Sequence, residues 1–443
     1  MTGKNVLKSD KKKIAVITMG CSKNVVDSEV LLGSLKHSPH TLVDDVDSAD
    51  VAVINTCGFI NSAKQESIDA IIEAIERKKR GKLQNVIVMG CLSERYKNDL
   101  QKEIEGVDLM VGANKMHEVA RALGADLKYE LTGERLLSTP SHFAYVKISE
   151  GCDHPCSFCA IPLMRGKHIS KPDDFIVNEA RVFAHQGAKE LILIGQDTTY
   201  YGVDSSKGRT LPSLVRQLSE VQGIEWIRLM YAYPSKFPME LLDVFQETNK
   251  LCRYLDMPVQ HASDKVLKAM RRGITRRTTE SLIEEIRHRV PDIGFRTTLI
   301  VGFPGEGEKE FNELYDFVKQ TRFHRLGVFT YSQEEGTTAF ELGDPVPEEV
   351  KNERRDSIME LQRQISDELN AEQIGKTHRV LIDRFEGDYA VGRTMWDAPE
   401  IDQEVYVKYP WRAGDVRIGH FTAVKIVDSV EYDLYGEAIA SAE

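Results

Sequence analysis

Three short apolar stretches near the start of the chain share one pattern. KIAVITMGC, DVAVINTC and NVIVMGC are rich in β-branched residues, and each ends at a cysteine, namely Cys21, Cys57 and Cys91. Runs of this kind are typical of strands that are buried on both faces of a sheet. Between them, SAKQESIDAIIEAIERKKR carries isoleucines at helical spacing: Ile68, Ile71, Ile72 and Ile75. We therefore predict an open parallel sheet with helices between its strands.

The position of the cysteines in this pattern suggests a site. Ligands of open parallel sheets bind at the carboxyl ends of the strands, so Cys21, Cys57 and Cys91 are predicted to meet at one edge. The alternative is three separate core residues, because a free cysteine is often buried.

From residue 143 the pattern changes to six strand candidates separated by helical segments. They are FAYVKI, ELILIG, WIRLMY, YLDMPV, FRTTLIVG and RLGVFTYS, and the polar stretch KYELTGERLLSTPSH before them is predicted to be a linker. Serial β/α units of this kind predict a full or partial barrel, whose chemistry lies in the loops that follow the strands.

The last part of the chain begins with a long helix candidate and then turns to short β segments. The helix stripe consists of Ile358, Leu361, Ile365 and Leu369, and Gly375 is its predicted stop. The short segments that follow predict a small antiparallel β-barrel of the oligonucleotide-binding kind. The fold class is therefore α/β, with domains at residues 1–130, 138–372 and 373–443.

Composition indicates the cellular compartment, the state of the cysteines and the class of partner. The chain has 443 residues, 41% of them apolar and 29% charged, and no apolar run long enough to span a bilayer. Its polar start lacks the apolar region of a signal peptide, which predicts a cytoplasmic protein without a membrane partner. Seven cysteines in such a chain are expected to be ligands or reduced core residues; we interpret Cys252 as a core residue. The net charge of -11 argues against a general attraction to nucleic acid.

A second set of cysteines lies in EGCDHPCSFCAIP, at Cys152, Cys156 and Cys159. Thiolates are soft ligands for iron–sulfur clusters, zinc or cuprous copper. A closed zinc site or a fully ligated iron–sulfur cube takes four ligands, so three cysteines leave one position open. Zinc remains the alternative if His154 or His168 supplies the fourth ligand.

The motif CDHPCSFC resembles the signature of radical S-adenosylmethionine enzymes. The resemblance implies that Cys152, Cys156 and Cys159 hold a 4Fe-4S cluster whose open iron binds S-adenosylmethionine. It also implies that Phe158 neighbours the adenine. GQDTTYYG matches the segment that meets the methionine end, which nominates Gln196 and Asp197, and RTTLIVGFPGE nominates Arg296 for the carboxylate.

Nearly the whole chain resembles the methylthiotransferase family. GCSKN, NTCGF and MGC precede a partial (β/α) radical-SAM barrel, and a small barrel of the TRAM type follows it. The resemblance implies that Cys21, Cys57 and Cys91 hold a second 4Fe-4S cluster, and that the enzyme replaces a C–H bond by C–S–CH₃ with an electron donor as partner. Because carbon and sulfur must come into contact, we infer that the two cysteine-bearing domains face each other.

Members of this family modify either transfer RNA adenosines or a protein side chain. From residue 371 the chain carries eight Lys/Arg against fourteen Asp/Glu, which suits a basic protein better than RNA. We expect Asp397, Glu400 and Asp402 to bind that partner; the alternative is an acidic surface that serves solubility alone.

Local motifs favour the protein substrate. YLDMPVQHASDKVLKAMRRG and RLMYAYPSKF resemble the branch that methylthiolates the β-carbon of an aspartate on protein twelve of the small ribosomal subunit. Transfer RNA members more often read PVQSGS, so His261 and Ala262 are informative. GRTMWDAPEID departs from the expected pattern, because a smaller polar residue would be expected at Met395 or Trp396. A transfer RNA methylthiotransferase and a non-catalytic iron–sulfur or zinc scaffold remain the alternatives.

Overall fold

The computed structural model describes residues 11–125, 135–205, 208–409 and 416–439. The polar start, residues 1–10, and the first half of the predicted linker, residues 128–134, lie outside these ranges. The predicted domain boundaries remain predictions. Within the described ranges, no helix is both long enough and apolar enough to cross a bilayer.

The first domain is a five-stranded parallel sheet. Its elements are β1 (Lys13–Thr18), α1 (Ser22–Lys36), β2 (Thr41–Leu42), a 3₁₀ turn (Val46–Ser48), β3 (Val51–Thr56), α2 (Asn61–Lys79), β4 (Asn85–Gly90), α3 (Cys91–Glu103), β5 (Leu109–Met110) and α4 (Met116–Ala122). The strand order is β2-β1-β3-β4-β5, so the three predicted strands are neighbours. The open parallel sheet is thus confirmed. In α2, Ile71 and Ile75 are buried, whereas Ile72 is exposed.

The central domain is an open sheet of six parallel strands, which confirms a partial rather than a full barrel. Its elements are β6 (Phe143–Lys147), β7 (Ser149–Glu150), α5 (Ile161–Arg165), β8 (Ile169–Ser170), α6 (Asp173–His185), β9 (Glu190–Ile194), α7 (Leu211–Ser219), β10 (Trp226–Leu229), α8 (Leu241–Glu247), β11 (Leu251–Asp256), α9 (Asp264–Ala269), α10 (Arg276–Arg289), β12 (Gly294–Val301), α11 (Glu308–Thr321), β13 (Arg325–Thr330), a 3₁₀ turn (Phe340–Leu342) and α12 (Glu348–Ala371). The strand order is β13-β12-β11-β10-β9-β6.

The last domain is a closed five-stranded barrel. Its strands are β14 (Thr377–Glu386), β15 (Tyr389–Arg393), β16 (Glu404–Lys408), β17 (Phe421–Ser429) and β18 (Asp433–Ala438). They close in the order β14-β15-β16-β18-β17. The pairing is antiparallel as predicted, except that β16 and β18 run parallel. The predicted stripe of α12 packs on the outer core of the partial barrel through Ile358, Leu361 and Ile365.

Both smaller domains pack against the inner face of the partial barrel. Val26 and Val30 of α1, together with Leu381 and Ala398 of the last domain, join one apolar cluster with residues of the central strands. Cys252 is buried in this cluster, so its interpretation as a core residue is confirmed.

The segment GRTMWDAPEID closes the amino end of the partial barrel, and this corrects a prediction. Asp397 has a fully buried side chain that pairs with Arg325, the first residue of β13, at 2.6 Å. The carboxylate of Asp402 is 1% exposed and pairs with Arg296 at 3.2 Å. The expectation that Asp397 and Asp402 form an accessible docking surface is therefore wrong. Glu400 is exposed, and its role in partner binding remains a prediction.

The same closure explains the unexpected Met395 and Trp396. The backbone oxygen of Met395 accepts a hydrogen bond from Arg228 at 2.7 Å, and its side chain packs on the inner apolar cluster. The indole of Trp396 donates to the backbone oxygen of Asp292 at 2.8 Å. A Cβ on Gly294 would lie 3.0 Å from the Trp396 ring. Met395 and Trp396 thus contribute apolar packing to the closure at the amino end of the barrel.

A single carboxylate ties the first domain to the loop after β13. Glu334 is buried and pairs with Lys64 at 2.6 Å and with Arg95 at 2.7 Å. Arg95 also donates to the backbone oxygen of Glu335 at 2.6 Å. These contacts join residues more than 200 positions apart and fix the first domain over the carboxyl end of the barrel.

Candidate active site

The loop with Cys152, Cys156 and Cys159 is anchored at the carboxyl end of the barrel by its backbone. The amide of Cys152 donates to Gly166 at 3.1 Å, and that of Cys159 to Cys156 at 3.2 Å. Gly151 has a φ of +76°, and a Cβ there would lie 2.0 Å from the backbone oxygen of Lys167. Only glycine fits this turn.

Burial and mutual proximity shape the electrostatics of these thiols. The pKa of Cys152 is raised to about 11 and that of Cys159 to about 12, mainly by burial, and the neighbouring cysteines act in the same direction. The sulfur of Cys156 accepts from the guanidinium of Arg272 at 3.5 Å and lies 3.6 Å from the hydroxyl of Tyr233. Three converging soft donors beside a cation fit an anionic, thiolate-ligated cluster.

The zinc alternative does not fit this geometry. His154 Nε2 bonds Asp197 at 2.6 Å, and its ring stacks on Tyr233 with a centroid distance of 3.8 Å. His168 Nε2 bonds the hydroxyl of Ser170 at 3.0 Å. The Nε2 atoms of both imidazoles are thus engaged by partners other than the cysteine sulfurs. Among the described residues, no group of three or more Cys, His, Asp or Glu side chains is placed to hold a single metal ion.

The residues predicted to bind S-adenosylmethionine differ in their positions and in the partners that they already have. Gln196 lies at the rim and donates to Glu150 at 3.0 Å, and its buried Oε1 has no hydrogen-bond partner within the described part of the chain. That oxygen fits the ammonium group of S-adenosylmethionine as a donor. Phe158 packs beside Phe303 and Tyr331 in a small apolar cluster, as an adenine neighbour would. The carboxylate of Asp197 already accepts from Thr199 and contacts His154, so it orients the cysteine loop.

The nomination of Arg296 is wrong. It is the third residue of β12, and the five residues from it to the strand end span about 16 Å. Its guanidinium is held by Asp256 at 3.0 Å and by Asp402. Arg296 therefore belongs to the closure at the amino end.

The second set of cysteines is assembled by the topology of the first domain. Cys21 precedes α1, Cys57 follows β3 and Cys91 begins α3, all at the carboxyl ends of adjacent strands. Cys21 is exposed, whereas Cys57 and Cys91 are buried. The pKa of Cys91 is raised to about 11, mainly by burial; Arg165 opposes this rise, and the nearby Cys21 and Cys57 add to it. Three unrelated core cysteines would not converge in this way.

Glycines allow this convergence. A Cβ on Gly20 would lie 2.7 Å from the Cβ of Cys57, and one on Gly58 would lie 3.0 Å from the backbone carbon of Cys91. Gly90 has a φ of +108°, and a Cβ there would lie 2.5 Å from the backbone oxygen of Thr56. Larger residues would hold the strand ends apart.

Arg165 joins the two sets of cysteines, and sequence reasoning missed it. It lies six residues after Cys159, and its Nε donates to the sulfur of Cys91 at 3.3 Å. Its other nitrogens donate to Asp27 at 2.6 Å and to Asn24 at 2.5 Å, both in α1. The two cysteine sites therefore face each other, as inferred from the sequence. Nothing in the local sequence indicates which partner this arginine would meet.

A buried charge network fills the space around Arg165. The ammonium of Lys147 pairs with Asp27 and with Glu150, each at 2.5 Å. Lys147 and Arg165 together hold the pKa of Glu150 near 2 despite its burial. Glu150 also accepts from Gln196, so one hydrogen-bonded path runs from Cys91 to the rim where Gln196 lies.

Three family models match successive parts of the chain. They are "Uncharacterized protein family UPF0004" at residues 13–112, "Radical SAM superfamily" at 146–318 and "TRAM domain" at 374–439. A relative from Cytophaga hutchinsonii, named ribosomal protein uS12 methylthiotransferase RimO, is 53% identical, with 97% of this chain and 99% of the relative covered. The chain belongs to the RimO methylthiotransferase family.

Other comparisons agree. Relatives with the same name from Christiangramia forsetii and Bacteroides thetaiotaomicron are 52% and 48% identical, covering 97% and 98% of this chain and 95% and 100% of their own. The radical S-adenosylmethionine methyltransferase TsrM from Kitasatospora setae has a TM-score of 0.54 at 14% identity, covering 71% of this chain and 72% of its own, which shows the fold alone. The family confirms a radical methylthiotransferase with iron–sulfur clusters and S-adenosylmethionine as cofactors.

Proposed function

We propose that the protein methylthiolates the β-carbon of an aspartate in ribosomal protein uS12. The observation that carries this proposal is the pair of facing cysteine sites, joined by the contact of Arg165 with Cys91 at 3.3 Å. One site suits the generation of a radical and the other suits sulfur, and the reaction needs both within contact distance of one carbon. The names of the relatives supply the substrate.

The cofactor assignments belong to this proposal. Cys152, Cys156 and Cys159 would hold the cluster that binds S-adenosylmethionine, and Cys21, Cys57 and Cys91 would hold the second cluster. When bound, the first cluster supplies the electron that cleaves S-adenosylmethionine to methionine and a deoxyadenosyl radical.

Side chains of the protein would bind S-adenosylmethionine and position the cysteines. Gln196 would accept from the methionyl amine through its unpartnered oxygen, and Phe158 would seat the adenine. His154, fixed by Asp197, supports the loop that carries the cysteines. Arg272 and Arg165 place positive charge beside the sulfurs of Cys156 and Cys91, where it would offset the negative charge of thiolate-ligated clusters.

The branch-specific motif has a structural role at the rim. His261 and Ala262 are buried, and His261 accepts from the backbone amide of Ser263 at 2.9 Å and lies 3.3 Å from Glu306. These residues shape the turn before α9. Because Asp397 and Asp402 are buried, the acidic count of the last domain supports a basic partner less than the sequence predicted, and the relatives carry the substrate assignment. The enzyme would act in the cytoplasm with an electron-donor protein.

A competition experiment tests the proposal. Reconstituted enzyme, reductant and S-adenosylmethionine are offered small ribosomal subunits together with transfer RNA, both from a strain that lacks the two modifications. We expect mass spectrometry to find a methylthio group on an aspartate peptide of uS12. A methylthio group on adenosine would instead support the transfer RNA alternative, and failure to cleave S-adenosylmethionine would support a scaffold.

A further inference from the structure

Lys23 is a buried lysine in the cleft between the first domain and the barrel. It lies in the first turn of α1, two residues after Cys21, and is 7% exposed. Its ammonium lies 2.9 Å from the ring centroid of Tyr231, a barrel residue just after β10. The hydroxyl of Ser22 lies 3.5 Å from that of Tyr231. Lys23 thus follows the exposed Cys21 by two residues, and its ammonium lies at the carboxyl end of the barrel.

Lys23 is one of two buried cations, with Arg272, that have no carboxylate partner among the described residues. Seven of the nine buried lysines and arginines in the described ranges are ion-paired: Arg135, Lys147, Arg165, Arg228, Lys351, Arg354 and Arg393. The eighth, Arg272, contacts the sulfur of Cys156 and a backbone oxygen. The aromatic face offsets part of the desolvation of Lys23, but a buried ammonium without an anion remains costly.

The surroundings favour an anion at this position. The first amides of α1 have no partner within the helix, and the positive end of the helix dipole points into the same cleft. The nearest carboxylate of α1, that of Asp27, is held by Lys147 and Arg165. A carboxylate from outside the chain would complete the pairing of Lys23.

We propose that Lys23 binds the carboxylate of the target aspartate and thereby selects aspartate as the residue to be modified. This inference rests on the proposed function. An ion pair to the side-chain carboxylate places the adjacent β-carbon in the cleft, with Cys21 on one side and the barrel rim on the other. Lys23 is thus a specificity-determining residue that touches the substrate.

The test compares two forms of uS12, the natural protein and a variant with the target aspartate replaced by asparagine. Their Kd values are measured by competition with reconstituted enzyme and S-adenosylmethionine. We expect the unsubstituted enzyme to bind the aspartate form about thirtyfold more tightly, since a buried charge pair is lost in the asparagine form. Lys23→Met should bind both forms alike, and Lys23→Arg should restore most of the preference.

Lys64→Met is the matched control, because Lys64 is another cation between the two domains, where it pairs with Glu334. It should keep the preference for aspartate. If Lys23→Met, or the milder Lys23→Gln should the first not fold, keeps the full preference, the inference is overturned. Methylthiolation of uS12 by the unsubstituted enzyme would in that case still support the proposed function, whereas its absence would refute the function itself.

Discussion

The two ends of the partial barrel are both closed by a neighbouring domain through buried ion pairs, yet they differ in how completely the charges are matched. At the amino end, Arg393 lies between Glu190 and Asp383, at 2.9 and 2.7 Å, and Arg325 pairs with Asp397. At the carboxyl end, the buried ammonium of Lys23 has no carboxylate partner among the described residues and lies on the ring of Tyr231 instead.

This difference separates stability from chemistry. A network in which each charge meets a fixed partner holds two domains in one arrangement. Removing one member of such an ion pair lowers the stability of the protein. Groups that remain unmatched among the described residues cost stability and are tolerated where a ligand completes them. The carboxyl end therefore carries the reaction, and the amino end maintains the relative position of the domains.

The largest expected effect is a complete loss of activity, and it distinguishes the roles of the two cysteine sites at the carboxyl end of the barrel. Cys152→Ala should abolish both cleavage of S-adenosylmethionine and methylthiolation, because it removes a ligand of the radical-generating site. Cys57→Ala should abolish methylthiolation and retain cleavage. Deoxyadenosine and methylthiolated peptide are measured in the same reaction. Loss of cleavage in both variants at unchanged iron content of the first site would contradict the division of roles.

The next effect is expected at the amino end. Asp397→Asn leaves Arg325 buried without its counter-charge, which should lower the free energy of unfolding by about 3 kcal/mol. Urea unfolding of the apoprotein measures this change. Glu400→Gln, at an exposed position of the same segment, is the control and should have little effect. Equal stability of the two variants would show that the closure does not depend on this ion pair.

A smaller effect concerns pH. Burial lowers the pKa of His324 from 6.5 to about 4, and its Nδ1 accepts from the amide of Phe295 at 3.3 Å. Because the folded-state pKa is the lower one, this stabilisation is present above pH 6.5 and is lost as the pH falls toward 4. By pH 5 the loss should reach about 2 kcal/mol. His324→Asn should show a shallower decline in urea unfolding between pH 7 and pH 5; parallel curves would exclude the assignment.

The sequence predicted what depends on local spacing. The strands that end at Cys21, Cys57 and Cys91 follow from short apolar runs, and the loop of Cys152 to Cys159 is contained in eight residues. The sequence alone could not predict which residues form contacts between domains. Asp397 and Asp402 looked like surface charges because their partners, Arg325 and Arg296, come from distant strands. Arg165 likewise gave no local sign of its contact with Cys91.

The pairing of Glu334 with Lys64 and Arg95 has a consequence for synthesis of the chain. Glu334 follows these two residues by 270 and 239 positions. At about 5–20 residues per second, a ribosome needs roughly 12–54 seconds to make the intervening chain. For most of that interval, after Met110 has been added, the sheet that carries Cys21, Cys57 and Cys91 is complete, while the domain that covers it is not. The nascent protein thus passes through a stage in which these thiols are open to iron and sulfide delivery, and equally to oxidation.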